Sequence, residues 1–359
     1  RVTLLKLTNT PRPYAWGSKE LIPQLLGTEP DGTPQAEIWF GTHPGSPAQV
    51  IDQQGGSLAD REEPLGFLVK FLAAAAPLSI QAHPTREHAA KRFAEAYPGY
   101  TDPNHKPEVI VAVTEFEALC GFREVGAIQS DLELLAQSDA SFTPWLTSLA
   151  TSGLEGATRF ALDAPAELAS KLLASADVLG SRAELMKSIS AAHPNDPGLL
   201  VTILMNHVVL SPKEALYLPA GNIHAYLFGL GVEVMAASDN VLRGGLTTKP
   251  IDKPELMQIL DFSELADPVV KSRELTSGLS EYETLAEDFS LYRLEPSGAN
   301  MLIDVPLRGR AIAVCVAGEL VISTSKEDSL SLRQGEAAYF ADAAYFSVLG
   351  SGTGYLAMG

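Results

Sequence analysis

The hydrophobic positions along the chain change rhythm twice. Up to about residue 120 they come in short runs broken by Gly and Pro, as in "AEIWFGTHPGSPAQV" and "LGFLVKFLAAAAPLSIQAHP". Such runs predict buried strands separated by turns. Pro84 closes the second run, and Thr85 is placed to cap a short helix over "REHAAKRFAEAY". From Glu124 to about Met205 the spacing is helical, with Ile128, Leu132 and Leu135 on one face. Asp163 reads as the start of a helix carrying Leu168 and Leu172. Ser181 and Glu184 read as a capping box before Leu185 and Ile189. Strand rhythm returns over 208–238, and Asp252, Lys253, Pro254 and Glu255 start a helix through Leu260, again as a capping box. Near the C-terminus, "RAIAVCVAGELVIS" and "LSLRQGEAAYFADAAYFSVLG" each read as strand, Gly turn and strand, the texture of a small barrel or jelly roll.

The pattern predicts a mainly β protein with a helical insertion. With 359 residues the chain is too long for one compact core. The organisation expected is a discontinuous β domain over 1–123 and 208–265, a helical domain over 124–207, and a C-terminal β domain over 266–359.

Composition narrows the function classes. The net charge of −18 argues against nucleic acid and anionic membranes as partners, so an anionic ligand would need a local cluster of Lys and Arg. No run of about eighteen apolar residues exists to span a membrane. Cys120 and Cys315 are the only cysteines, which gives no disulfide framework and fits a cytoplasmic location. The stretch "RVTLLKLTNTPRPYAWG" lacks the apolar core and cleavage site of a signal peptide.

Candidate chemistry sits where polar residues interrupt apolar runs. In "SIQAHP", Ser79, Gln81 and His83 share one face of a strand. In "NHKPE", His105, Lys106 and Glu108 stand at the mouth of the run "VIVAV", and in "GNIHAY" His224 and Tyr226 share a face. Two imidazoles, a carboxylate and an amide oxygen form a donor set suited to Zn²⁺ or another divalent ion. Hydrogen-bonded core histidines and a salt-bridged turn are the alternatives that spacing alone leaves open. In "EVMAASDNVLRGGLTTK", Glu233, Asp239, Arg243 and Lys249 suggest an anion clamp, or else a solvated turn. Lys70, inside "FLVKFL", needs an anionic partner if it is buried. Cys120, Trp16, Trp39 and His43 read mainly as packing or turn residues, with Trp16 and Trp39 also placed to line a pocket. His88, His193 and His207 stand in no special context.

These segments, together with "PYAWG", "AEIWFGTHP" and "YTDPNHKPEVIVAVTEFEALCGF", resemble the type I phosphomannose isomerases. The likeness runs from near the N-terminus to about residue 260, and the helical stretch is its least diagnostic part. It implies a zinc-dependent cupin with one Zn²⁺ per chain held by Gln81, His83, Glu108 and His224, and Arg243 at the position of the catalytic arginine. The fold implied is two cupin-like jelly-roll barrels plus an all-helical domain. The second barrel should carry no similar metal, since no histidine follows His224.

The implied reaction interconverts mannose 6-phosphate and fructose 6-phosphate, in mannose catabolism or towards GDP-mannose and glycan precursors. It requires ring opening and then removal of a carbon-bound proton beside a carbonyl, through a cis-enediol. Arg243 is expected to hold the developing oxyanion. His105 is expected at ring opening and Lys106 or Asp239 at proton transfer, with Glu233 a further acid or base. Lys106 is expected to have its pKa lowered by zinc and Arg243. Ser79, Lys70 and Lys249 are assigned to the phosphate with Arg243 contributing, and Tyr226 and Trp16 to the rest of the substrate. The expected partner is a small sugar phosphate, and the chain is expected to be a monomer with oligomers left open. The rival classes are a non-catalytic sugar-phosphate-binding cupin and an Fe(II) oxygenase, the latter weakened by the Gln ligand.

Overall fold

The structure, a computed structural model, describes residues 2–298 and 301–359. Strands dominate, and every pairing between named strands is antiparallel. The longest strand, His224–Ala236, organises the first sheet system. Its second half pairs with Phe67–Ala74 and Glu108–Ala112, and its first half with Phe116–Phe122 and, at His224, with Ile80–Ala82. The change of partners coincides with a bulge between Tyr226 and Phe228 and with Gly229 at φ 119°. A strand that bends at a bulge and passes between layers makes the corner of a jelly roll.

Burial on both faces explains why these strands read as continuous apolar runs. Leu72, Ala74, Ile110, Ala112, Phe116, Ala118 and Cys120 face inward as one cluster. From the same strands, Val69, Phe71, Val109 and Val111 face outward against N- and C-terminal segments. Ile80, Ala82, Leu119 and Ala225 pack under the helices.

Those helices are Val125–Ser138, Thr143–Asp163, Ala166–Ala174, Ala183–Ala192 and Gly198–Ile203. Ile128, Leu132 and Leu135 are buried on one face, as their spacing predicts. Two predicted starts differ. Asp163 ends a helix rather than opening one, because Pro165 biases Ala164 to extended backbone (ψ 140°) and the next helix begins at Ala166. Ser181 makes no capping box, because a 3₁₀ segment over Ala176–Arg182 leads directly into Ala183–Ala192 and Arg182 caps without a side-chain bond. Thr85 caps Arg86–Ala94 by accepting from His88 N–H, as predicted. Asp252 caps Lys253–Ile259, but the Glu255 side chain does not complete a box, since it accepts from His88 and Arg92 instead.

Six C-terminal strands, joined by two from the N-terminal region, make an eight-stranded sheet, and four more make a second sheet, around a core that includes Leu294, Cys315, Leu320, Phe340 and Phe346. The first strand, Thr3–Thr8, was expected with the first β domain; it pairs instead with Ala337–Ala341 and carries Gln49–Val50 on its other edge. It covers a sheet edge that would otherwise expose unpaired backbone groups. Among the described residues, no helix is long and apolar enough to cross a membrane.

Candidate metal centre and active site

Three buried side chains converge inside the first barrel. Glu108, at the inner end of Glu108–Ala112, is 3% exposed, and His83 and His224 are each 1% exposed. Each histidine Nε2 stands 3.4 Å from Glu108 Oε2. The three donor atoms lie within 4.8 Å of one another.

The backbone fixes which nitrogen faces inward. His83 Nδ1 donates to the Asn240 carbonyl at 2.7 Å, and His224 Nδ1 donates to the Asn222 carbonyl at 2.9 Å. Both Nε2 atoms are buried and have no hydrogen-bond partner. Buried polar atoms are normally satisfied, so two unpaired ring nitrogens beside one carboxylate fit a divalent cation. Burial lowers the His83 pKa and favours the neutral ring that a metal needs, although Glu108 works against this. Burial also opposes the charged form of Glu108, yet His83 and Lys106 hold its carboxyl well below the usual range.

Gln81 and Arg243 join through strand register. Gln81 is the direct cross-strand partner of both His224 and Arg243, so the three side chains share a face. Arg243 makes no hydrogen bond or ion pair among the described residues, and burial lowers its pKa. A half-buried guanidinium with all its donors free is suited to an incoming anion.

Further charged groups surround the donors: Glu233 is buried, Lys106 partly buried and Asp239 exposed. Lys106 Nζ is 3.5 Å from Glu108 Oε1. Its expected pKa depression is not what its protein neighbours produce. Burial does lower it, but Glu108, Glu233, Asp239 and Glu37 outweigh burial and raise it. Glu233 accepts a hydrogen bond from the Tyr226 hydroxyl at 2.5 Å. Burial, and then the Glu108 charge, push Glu233 up to about 8. Asp239 accepts from His43 Nε2 at 2.9 Å, and that bond holds its pKa down.

His105 departs from its expected place over the metal. Its Nε2 lies 2.7 Å from both Asp288 Oδ1, to which it donates when protonated, and an Arg86 nitrogen, from which it accepts in the other tautomer, in a cleft lined by Pro107, Tyr217 and Leu285. Lys106 turns towards Glu108, whereas His105 and Pro107, just before the strand begins, line that cleft. Among the other predicted contacts, Lys70 is buried beside Glu37 at 3.7 Å. Tyr226 is buried with its hydroxyl committed to Glu233, and Trp16 stacks on Tyr14. Ser79 is partly buried just before Ile80–Ala82, and Lys249 is exposed after the Arg243 strand.

Several site residues escaped sequence reasoning. Asn240 is fully buried; its side chain donates to the Asp102 and Asn104 carbonyls and accepts from Thr101 N–H, while its own carbonyl orients His83. Glu37 and His43 bear on Lys70 and Asp239. The signal for Glu37 was its two-residue spacing from Trp39 in "AEIWF", which puts both on the inner face.

The family profile for the type I phosphomannose isomerase catalytic domain matches residues 4–125. The mannose-6-phosphate isomerase of Salmonella typhimurium is 36% identical, over 98% of this chain and 98% of its own length. Mannose-6-phosphate isomerase 1 of Arabidopsis thaliana is 32% identical over 92% of this chain and 88% of its own. A crystal structure of a point variant of the Salmonella typhimurium phosphomannose isomerase superposes with a TM-score of 0.90 at 32% identity, covering 99% of each chain. By sequence over nearly its full length, and by fold, the chain belongs to the type I phosphomannose isomerase family.

Proposed function

We propose that the protein interconverts mannose 6-phosphate and fructose 6-phosphate by proton transfer through a cis-enediol at a zinc site. The observation that carries the reading is the pair of buried, unpartnered Nε2 atoms beside Glu108, in register with the free guanidinium of Arg243. Gln81, His83, Glu108 and His224 would hold one Zn²⁺, which when bound polarises substrate oxygens.

The chain's own residues supply the remainder. Arg243 pairs with the oxyanion that develops as the carbon-bound proton leaves. Glu233 takes that proton, since a buried carboxyl near pKa 8 is a stronger base than an ordinary carboxylate and titrates close to working pH. Lys106, kept cationic by its carboxylate neighbours, delivers a proton to the carbonyl oxygen as the enediol forms, and recovers one from the neighbouring hydroxyl as Glu233 returns its proton to the adjacent carbon. Asp239, held by His43, assists ring opening at the rim. Ser79, Lys70 and Lys249 meet the phosphate. His105 has no proton-transfer step in this scheme. The reading includes a monomeric chain in the cytoplasm, where its two buried free cysteines stay reduced.

The test is a coupled assay for fructose 6-phosphate from mannose 6-phosphate, with and without a chelator. Turnover lost to the chelator and restored by Zn²⁺ is expected, and absence of turnover by zinc-loaded protein contradicts the reading.

A further inference from the structure

Lys70 is 7% exposed in the interior of a sheet. A buried ammonium ordinarily spends its N–H groups on carboxylate or carbonyl oxygens. This one spends none: among the described residues, Lys70 makes no hydrogen bond. Its two anchors act without taking a donor. Glu37 Oε1 lies at 3.7 Å, beyond good hydrogen-bond length, and the centroid of the Trp39 ring lies 4.4 Å from Nζ.

The anchors are themselves fixed. Trp39 Nε1 donates to Glu37 Oε1 at 3.0 Å, so the oxygen that attracts the ammonium also orients the indole. The Arg12 guanidinium lies 4.5 Å from the same ring and is itself held by hydrogen bonds to the Tyr14 hydroxyl and the Gly45 carbonyl. His43 meets Trp39 edge-on at 4.8 Å. Register places Trp39, Lys70 and Glu233 as successive cross-strand partners, so all three share the face that looks into the barrel.

We propose that Trp39, oriented by Glu37, is a positioning residue that holds the Lys70 ammonium in the barrel with its three N–H donors free for the phosphate oxygens of the substrate. The inference rests on the assignment of Lys70 to the phosphate made above. A direct hydrogen bond to Glu37 would consume a donor, whereas attraction to a π face makes no such demand. Trp39 therefore acts through Lys70, and its effect requires Lys70 to be present.

The experiment is binding of inorganic phosphate to the zinc-loaded protein by titration calorimetry, with KM and kcat for mannose 6-phosphate alongside. It compares wild type, Lys70→Ala, Trp39→Leu, Trp39→Phe, and each Trp39 variant combined with Lys70→Ala. Trp39→Leu is expected to weaken phosphate binding about tenfold and to raise KM by a similar factor, with kcat within about threefold. Trp39→Phe keeps a π face and is expected to lose about threefold. In the Lys70→Ala background neither Trp39 change should weaken phosphate further. Equal losses with and without Lys70, or unchanged binding in Trp39→Leu, would overturn the proposal. If Trp39→Leu does not fold, the Trp39→Phe pair decides by the same comparison. Wild-type binding retained in Lys70→Ala also overturns it. Phosphate binding needs no turnover, so an inactive wild type would defeat the isomerase reading and leave this inference to the calorimetry.

Discussion

The Glu233 side chain has one hydrogen bond, from the Tyr226 hydroxyl, and among its charged neighbours Glu108 opposes its ionisation most. Its ordinary pKa of 4.5 rises to about 8, chiefly through burial. Between those values the unfolded chain has lost this proton and the folded chain keeps it. Stability contributed by the neutral acid is thus full below about pH 4.5 and lost as pH rises through about 8. Glu233→Gln in metal-free protein should remove that dependence, so its melting temperature should exceed wild type by a margin that widens from pH 5 to about 8. A parallel pair of melting curves would contradict the assignment. The same substitution should lower kcat by about a hundredfold or more if Glu233 is the base. A lone Glu in "GVEVMA" is visible in the sequence. Its raised pKa is not, because that depends on what the barrel buries around it. The same limit hides the place of His105: "NHKPE" shows five polar or rigid residues in a row, but only the folded chain shows that Lys106 turns towards Glu108 and His105 meets Asp288.

At the scale of elements, the bulge in His224–Ala236 decides the site. Before it the even residues His224 and Tyr226 face inward; after it the odd residues Glu233 and Met235 do. Without the extra residue, Glu233 would point out of the barrel. Gly229 makes the bend: its φ of 119° disfavours other residues, and an added Cβ would stand 2.4 Å from the Glu115 carbonyl oxygen. Gly229→Ala should cost roughly 2 kcal/mol or more of stability and reduce activity, measured by denaturant unfolding and turnover. The loop around Asn240 is a second device of this kind. Asn240→Ala frees residues 101–104 and loosens the carbonyl that orients His83. Zinc affinity, measured by competition with a chelating dye, should fall about ten- to a hundredfold. Strands and helices were legible from hydrophobic period, and the caps at Thr85 and Asp252 from residue type, whereas the starts read at Asp163 and Ser181 were not those of the fold. The bulge was not, since Gly229 lies within an otherwise regular apolar run and only its partner strands reveal the change of register.

For the whole molecule, segments distant in sequence close the structure around the first barrel. Thr3–Thr8 completes the C-terminal sheet, and Asp288 reaches back to His105 and Arg86. Removing residues 3–8 should therefore destabilise the chain and expose the edge of Ala337–Ala341, seen as a lower melting temperature and increased aggregation. Pairing across more than three hundred residues leaves no trace in local hydrophobic period, which is why this strand was expected in the first domain. The cluster of His83, Glu108 and His224 was more legible, because each of the three sits in a short polar interruption of an apolar run. The most direct measurement of the central claim is turnover of mannose 6-phosphate as Zn²⁺ is titrated into metal-free protein. The account requires activity to rise in proportion to bound metal and to saturate at one Zn²⁺ per chain, with His83→Ala neither binding tightly nor turning over. Full activity in metal-free protein, or tight binding with no turnover at one equivalent, would contradict it.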